Sequence, residues 1–221
     1  MIFIFSCNRK EMLLENLQHL DQFDQEIVVL DDKSDFDMTE VTDYADIYQS
    51  MERLGKQKYW QQWRTAFSIA RDSDDELFIF MPDDFLKLDY DQIEKLHQQL
   101  KVRPYSMNLI NDGREECFRA FKPQPQDLDG FEALKVGFND CGFFCNKKTL
   151  KLLQHRIERI DPQRFIWDSS LSSGVGQQLT TRMRGSGVFM LMPVKSLAVH
   201  SDHPSIMHPE ERKKNPLISK H

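Results

Sequence analysis

The chain has 221 residues, with 29 Lys and Arg against 35 Asp and Glu for a formal charge of −6, and 40% hydrophobic side chains, the composition of a globular protein with one large core. No apolar run approaches the ~20 residues that span a bilayer, and residues 1–5 are too short for a signal-peptide core, so the cytoplasm is the expected compartment. The four cysteines (Cys7, Cys117, Cys141, Cys145) form no CxxC pair, which argues against a structural zinc site and a disulfide framework. The charge is unevenly placed: residues 1–100 carry 10 basic and 22 acidic side chains, residues 101–221 carry 19 and 13. A negative total argues against a generic nucleic-acid binder, yet the two halves could present opposite faces to different ligands; a chance distribution of solvated charges accounts for the split equally well.

Residues 1–5 form a continuous apolar run ending in Ser6-Cys7-Asn8-Arg9, the pattern of a buried strand leaving a sheet into a polar loop. Leu13, Leu14, Leu17 and Leu20 keep helical spacing, and residues 27–30 give a second buried strand. Strand, helix and strand in this order make a βαβ unit with parallel strands and a right-handed crossover. Residues 44–48 supply a short third strand, and Tyr59, Trp60, Trp63, Ala66, Phe67 and Ala70 place aromatics on one helical face. Residues 77–81 are another apolar strand, stopped by Pro82. Ile93, Leu96, His97 and Leu100 mark an amphipathic helix capped by Asp89 or Asp91, with a strand at 107–110 beyond it.

The second half is less regular. It reads as a loop around Pro123 and Pro125, a strand at 141–145, and a helix on Leu150, Leu153, Ile157 and Ile160 closed by Asp161-Pro162. A helix around 177–183 between glycines, strands at 188–192 and 194–199, and an irregular tail from Ser201 follow. No repeat or linker divides the chain, so a single α/β domain with an open, mostly parallel sheet is expected over 1–221.

Open α/β sheets bind ligands outside the carboxyl ends of their strands. Two carboxylate pairs sit there, Asp31-Asp32 after the second strand and Asp83-Asp84 after residues 77–81. Either pair alone reads as well as strand-to-loop punctuation. Together they bring four carboxylates to one crevice, where they repel unless something positive lies among them. Oxygen ligation of this kind suits Mg2+ or Mn2+, which take one or two carboxylates and complete their shells from substrate phosphates. No glycine-rich loop follows the first strand, which argues against a dinucleotide-dependent dehydrogenase and a P-loop NTPase.

Ile2-Phe3-Ile4-Phe5-Ser6-Cys7-Asn8-Arg9, then Glu26-Ile27-Val28-Val29-Leu30-Asp31-Asp32-Lys33-Ser34, then Phe78-Ile79-Phe80-Met81-Pro82-Asp83-Asp84 resemble the opening of family-2-like glycosyltransferases of the GT-A fold. The resemblance covers roughly the first ninety residues. It implies a Rossmann-like nucleotide-sugar-binding half over 1–110 and an acceptor-side half over 111–221. It also implies that Asp31 and Asp32 contact the nucleoside of the donor beside Ser6, Asn8 and Arg9, and that Asp83 and Asp84 hold the metal and diphosphate. Met81 stands at the first acidic position of the family's D-x-D element, which leaves open whether Asp83 or Asp84 is the direct ligand. Arg53 and Lys56 lie where the family places a loop beside the donor and would neutralise diphosphate; a solvated turn accounts for them equally well. Asp168, after Phe165-Ile166-Trp167, matches the family's catalytic base, with Trp167 in place of the usual glutamate neighbour. An N-cap role for Asp168 or Ser169 is the alternative.

Ser173-Gly174-Val175-Gly176-Gln177-Gln178, Lys195-Ser196-Leu197-Ala198-Val199-His200 and His203-Pro204-Ser205-Ile206-Met207-His208-Pro209-Glu210 resemble the end of small stand-alone glycosyltransferases of phage genomes. Some GT-A enzymes use a late histidine as a further metal ligand, which makes His200 the candidate, with His203 and His208 as alternatives and a packing role open for each. A three-histidine zinc site is the rival chemistry, and it leaves the aspartate pairs unexplained. The whole resemblance implies an inverting glycosyltransferase that uses Mn2+ or Mg2+ and a UDP-linked nucleotide-sugar donor. The phage likeness implies double-stranded DNA with a hydroxymethylated pyrimidine as acceptor, faced by Arg182, Arg184, Arg212, Lys213 and Lys214, in a host cytoplasm. The alternatives are transfer to a surface glycan or lipid-linked sugar, a sugar nucleotidyltransferase, and a non-catalytic sugar-nucleotide binding module. A nucleotidyltransferase wants a glycine-rich basic loop after the first strand, and residues 6–10 contain no glycine.

Overall fold

The structure, a computed structural model, describes residues 1–111, 122–139, 141–167 and 171–201. Ile2–Ser6 (β1) and Ile27–Asp31 (β2) are buried at every position, as strands covered on both faces must be. Between them Lys10–Leu20 (α1) turns Leu13, Leu17 and Leu20 onto the sheet. Asp46–Gln49 (β3) adds beside β2, and Gly55–Lys58 (α2) leads into Trp60–Asp72 (α3). Leu77–Pro82 (β4) then pairs with the other edge of β1. Phe85–Leu86 (β5) precedes Tyr90–Leu100 (α4), whose N-cap Asp89 accepts the Gln92 N–H at 3.1 Å. Tyr105–Asn108 (β6), Gln124–Leu128 (β7), Phe131–Lys135 (β8) and Phe143–Asn146 (β9) follow. Lys147–Leu152 (α5), Arg164–Trp167 (α6), Val175–Gly185 (α7), Phe189–Pro193 (β10) and Val199–His200 (β11) complete the described chain.

Among the described residues, one sheet of nine strands has the order β3-β2-β1-β4-β9-β6-β10-β8-β7. Only β9 and β8 oppose the common direction, each antiparallel to both neighbours. The chain walks outward from β1 through β2 to β3, then crosses back to lay β4 on the far side of β1. Such a reversal is a topological switch point, where diverging loops leave a crevice at the carboxyl ends of the strands. Register places Ser6 beside Asp31 and Phe5 beside Pro82, so both aspartate pairs leave the sheet at that end.

Helices cover both faces. On one, Trp63 of α3 is fully buried and stacks on Phe5, Phe80 and Phe143 at ring-centroid distances of 4.6, 5.2 and 5.9 Å. On the other, Ile4, Val29, Met81 and Phe144 pack with the apolar stripes of α1 and α4.

Three expectations differ from the structure. Pro123 and Pro125 suggest a loop, yet residues 124–128 form β7 in a hairpin with β8. Proline is tolerated because β7 is the outermost strand, and Asp129 and Gly130, at φ +52° and +86°, make the tight turn that an Asp-Gly pair favours. The helix expected through Ile160 ends at Leu152, and Gln154 and His155 then adopt φ of +55° and +46°. Ile157 and Ile160 are buried all the same, so their spacing records contact with the core rather than helix. The strand expected over 194–199 shrinks to β11, which pairs with β5 and not with the main sheet.

Candidate functional site

Asp83 and Asp84 make the turn between β4 and β5, at the carboxyl end of the strand beside β1, and each is only 4% exposed. Asp83 is held on several sides. Its Oδ2 accepts the Ser6 hydroxyl at 3.0 Å and the Cys7 N–H at 3.3 Å, and its Oδ1 accepts Arg9 Nη1 at 2.8 Å. The Asp83 carbonyl accepts Asn16 Nδ2 at 3.0 Å from α1. Arg9 Nη1 also lies 2.9 Å from Asp84 Oδ2, so one guanidinium bridges both carboxylates. Burial pushes the Asp83 carboxyl up to about 6, against the lowering pull of Arg9. Burial likewise opposes the Arg9 charge, and Asp83 and Asp84 more than restore it.

His200 reaches the same place from the far end of the described chain. β11 pairs antiparallel with β5, His200 opposite Phe85, and the Ser201 N–H donates to the Asp84 carbonyl at 2.8 Å. His200 Nε2 thereby lies 3.9 Å from Asp84 Oδ2, with its ring edge-on to Phe85 at 5.3 Å. Neighbouring donors about 2.1 Å from an octahedral ion stand about 3 Å apart and opposite ones about 4.2 Å, so at 3.9 Å this oxygen and nitrogen must shift slightly to share one. Among the described residues no group of three His, Cys, Asp or Glu side chains is arranged to hold a metal ion. An ion that takes most of its shell from phosphate oxygens and water would need from the protein only a pair such as Asp84 and His200.

The other aspartate pair organises loops. Asp31 is fully buried and accepts the Ser34 N–H at 2.7 Å, the Ser34 hydroxyl at 2.5 Å and Gln49 Nε2 at 3.0 Å. Its carboxylate is turned into the loop that it folds. Asp32 accepts the Leu54 N–H at 2.5 Å and the Gly55 N–H at 2.8 Å, fixing the start of α2. Arg53 donates to the Lys33 carbonyl at 2.8 Å and to Asp35 at 3.0 Å. Asn8, at φ +51°, exchanges hydrogen bonds with Asp35: Asn8 Nδ2 donates at 2.9 Å and the Asp35 N–H returns to Asn8 Oδ1 at 2.7 Å. Ser6, Asn8, Arg9, Asp32 and Arg53 are thus tied into one rim.

Lys56 extends from α2 to 5.7 Å above the Phe165 ring, which brings α6, the helix just before Asp168, against that rim. Asp168 itself lies outside the described residues, as do Ser169, His203, His208, Arg212, Lys213 and Lys214. Arg182 donates to the carbonyls of Leu153 and Arg156, and Arg184 to that of Gly137. Both guanidiniums contact the protein's own backbone, and Arg184 is exposed. Asn16 and Asp35 are site residues that sequence reasoning misses. A buried polar residue within the stripe Met12, Leu13, Leu17 and Leu20 is a readable signal for Asn16; nothing in the spacing marks Asp35.

No protein-family model matches the sequence, and no curated protein matches it. The fold does have solved counterparts. A crystal structure of S. aureus TarS aligns with a TM-score of 0.59 at 15% identity, covering 90% of this chain and 36% of that one. A second, of TarS 1-349, aligns at 0.59 and 13% identity, covering 91% of this chain and 60% of that one. The chain therefore spans about a third to three-fifths of the TarS chains it matches. At this identity the likeness shows the fold: a GT-A, Rossmann-like α/β domain with a large, mostly parallel sheet.

Proposed function

We propose that this protein is a glycosyltransferase that moves a sugar from a UDP-linked nucleotide-sugar donor to a hydroxyl acceptor, assisted by Mn2+ or Mg2+. The observation that carries this reading is the cluster of Asp83, Asp84, Arg9 and His200 at the β1–β4 switch point, where a fold of this class receives its ligand. Asp84 and His200 hold the ion, with Asp83 as the second carboxylate. The bound ion offsets the charge that builds on the departing diphosphate. Ser6, Asn8, Arg9, the loop folded by Asp31 and Asp32, Arg53 and Lys56 frame nucleoside and diphosphate.

Asp168 takes the proton of the acceptor hydroxyl as its oxygen attacks the anomeric carbon. The bond from that carbon to the diphosphate breaks on the opposite face, so the centre inverts. The acceptor in this reading is a hydroxymethylated pyrimidine of duplex DNA, whose hydroxyl stands in the major groove or is flipped out. In this reading its phosphates face Arg182, Arg184, Arg212, Lys213 and Lys214.

Calorimetric titration of UDP with and without Mn2+ tests the donor side. Binding that requires Mn2+ and is lost in Asp84→Asn is expected. Pyrophosphate release from a nucleoside triphosphate mixed with a sugar phosphate would instead identify a nucleotidyltransferase.

A further inference from the structure

The two buried carboxylates share one guanidinium, and a single oxygen sits at the centre of the arrangement. Asp84 Oδ2 is 2.9 Å from Arg9 Nη1 and 3.9 Å from His200 Nε2, so the atom best placed to join His200 on an ion is the one that Arg9 holds. Asp83 is anchored by the Ser6 hydroxyl, the Cys7 N–H and Asn16 as well as by Arg9. Asp84 has its main chain fixed by the Ser201 N–H, while its Oδ2 lies between guanidinium and imidazole.

Charge points the same way. Two carboxylates and one guanidinium leave a net −1 in a pocket where the three side chains are 5%, 6% and 13% exposed. A divalent ion turns that sum to +1, a pocket that attracts a diphosphate where the ion-free cluster repels one. The ion and Arg9 compete for one oxygen, and like charges crowded there separate.

We infer that Arg9 is an exchangeable counter-ion: it occupies Asp84 Oδ2 until a divalent cation takes that oxygen with His200, and then, still anchored on Asp83, it turns to the diphosphate of the donor. The role rests on the function proposed above and adds to it a coupling built into the protein, in which metal entry releases the cation that captures the donor. Arg9 is a positioning residue for the carboxylates in one state and a phosphate contact in the other.

The test uses the intact protein, with Mn2+ alone as the first probe and UDP at saturating Mn2+ as the second, both by calorimetry. Arg9→Gln is expected to bind Mn2+ about tenfold more tightly than the parent and UDP about tenfold more weakly. Arg9→Lys, which keeps the charge, is expected to stay near the parent in Mn2+ affinity. Unchanged or weakened Mn2+ binding in Arg9→Gln overturns the inference while leaving the functional reading intact. A parent protein that binds neither Mn2+ nor UDP overturns the functional reading itself. Should Arg9→Gln not fold, the parent labelled with 15N-arginine decides. One guanidinium Nε signal, absent from the Arg9→Lys spectrum, is expected to shift with Mg2+ and again with UDP; no shift in that signal overturns the inference.

Discussion

His200 Nε2 and Asp84 Oδ2 stand 3.9 Å apart because a two-residue strand, β11, pairs with β5 and the Ser201 N–H closes onto the Asp84 carbonyl at 2.8 Å. Backbone pairing holds the segment in place. His200→Ala is therefore expected to leave the melting temperature nearly unchanged and to weaken Mn2+ binding about tenfold. Calorimetry beside a thermal melt checks both; equal Mn2+ affinity in parent and variant would remove His200 from the metal site.

Gly142 controls the same contact from behind. A Cβ added there would sit 2.3 Å from Cε2 of Phe85, a ring only 4% exposed and packed on His200. Gly142→Ala is expected to cost about 1–3 kcal/mol, a fall of roughly 2–12 °C in a chain of this size, and to weaken Mn2+ binding with it. Gly185→Ala, at the end of α7, meets nothing within 4 Å and serves as the control, with no loss of stability expected.

Asp83 sets a pH dependence whose sign is fixed by burial. A carboxyl raised to about 6 in the folded chain binds its proton more tightly folded than unfolded, where the value is about 3.9. The stability from that proton is complete below about pH 4 and is lost as pH rises through about 6. In metal-free buffer, the parent is expected to lose stability relative to Asp83→Asn between about pH 4.5 and 7. Melting curves that stay parallel across that range would contradict it.

Asp168→Asn separates chemistry from binding. An amide accepts no proton at neutral pH, so turnover is expected to fall by about 10²–10⁴-fold, while Mn2+-dependent UDP binding persists. Loss of binding together with turnover would place Asp168 in the donor site.

Much of the crevice is legible in the sequence because a buried strand must end in polar residues. Asp31-Asp32 and Asp83-Asp84 stand where the apolar runs of β2 and β4 stop, and His200 ends the short strand that returns to them. Contacts between distant segments are not legible. Arg9 serves Asp83 and Asp84 only because β1 lies beside β4, a register that hydrophobic period does not encode. Asp31 is enclosed by Ser34 and Gln49, whose meeting depends on β3 joining β2. Arg182 finds the Leu153 and Arg156 carbonyls because α5 stops at Leu152, an end concealed by the helix-like spacing of Ile157 and Ile160. The β7–β8 hairpin hides behind Pro123 and Pro125, although Asp129-Gly130 announces its turn.

The most direct test of the central claim is to incubate the protein and Mn2+ with a panel of nucleotide sugars and measure nucleoside diphosphate release, with and without hydroxymethylated duplex DNA and with small glycan acceptors. The account predicts release from a UDP-sugar that depends on Mn2+, rises with the DNA acceptor and is abolished in Asp84→Asn. No release from any donor, with any acceptor, would contradict it.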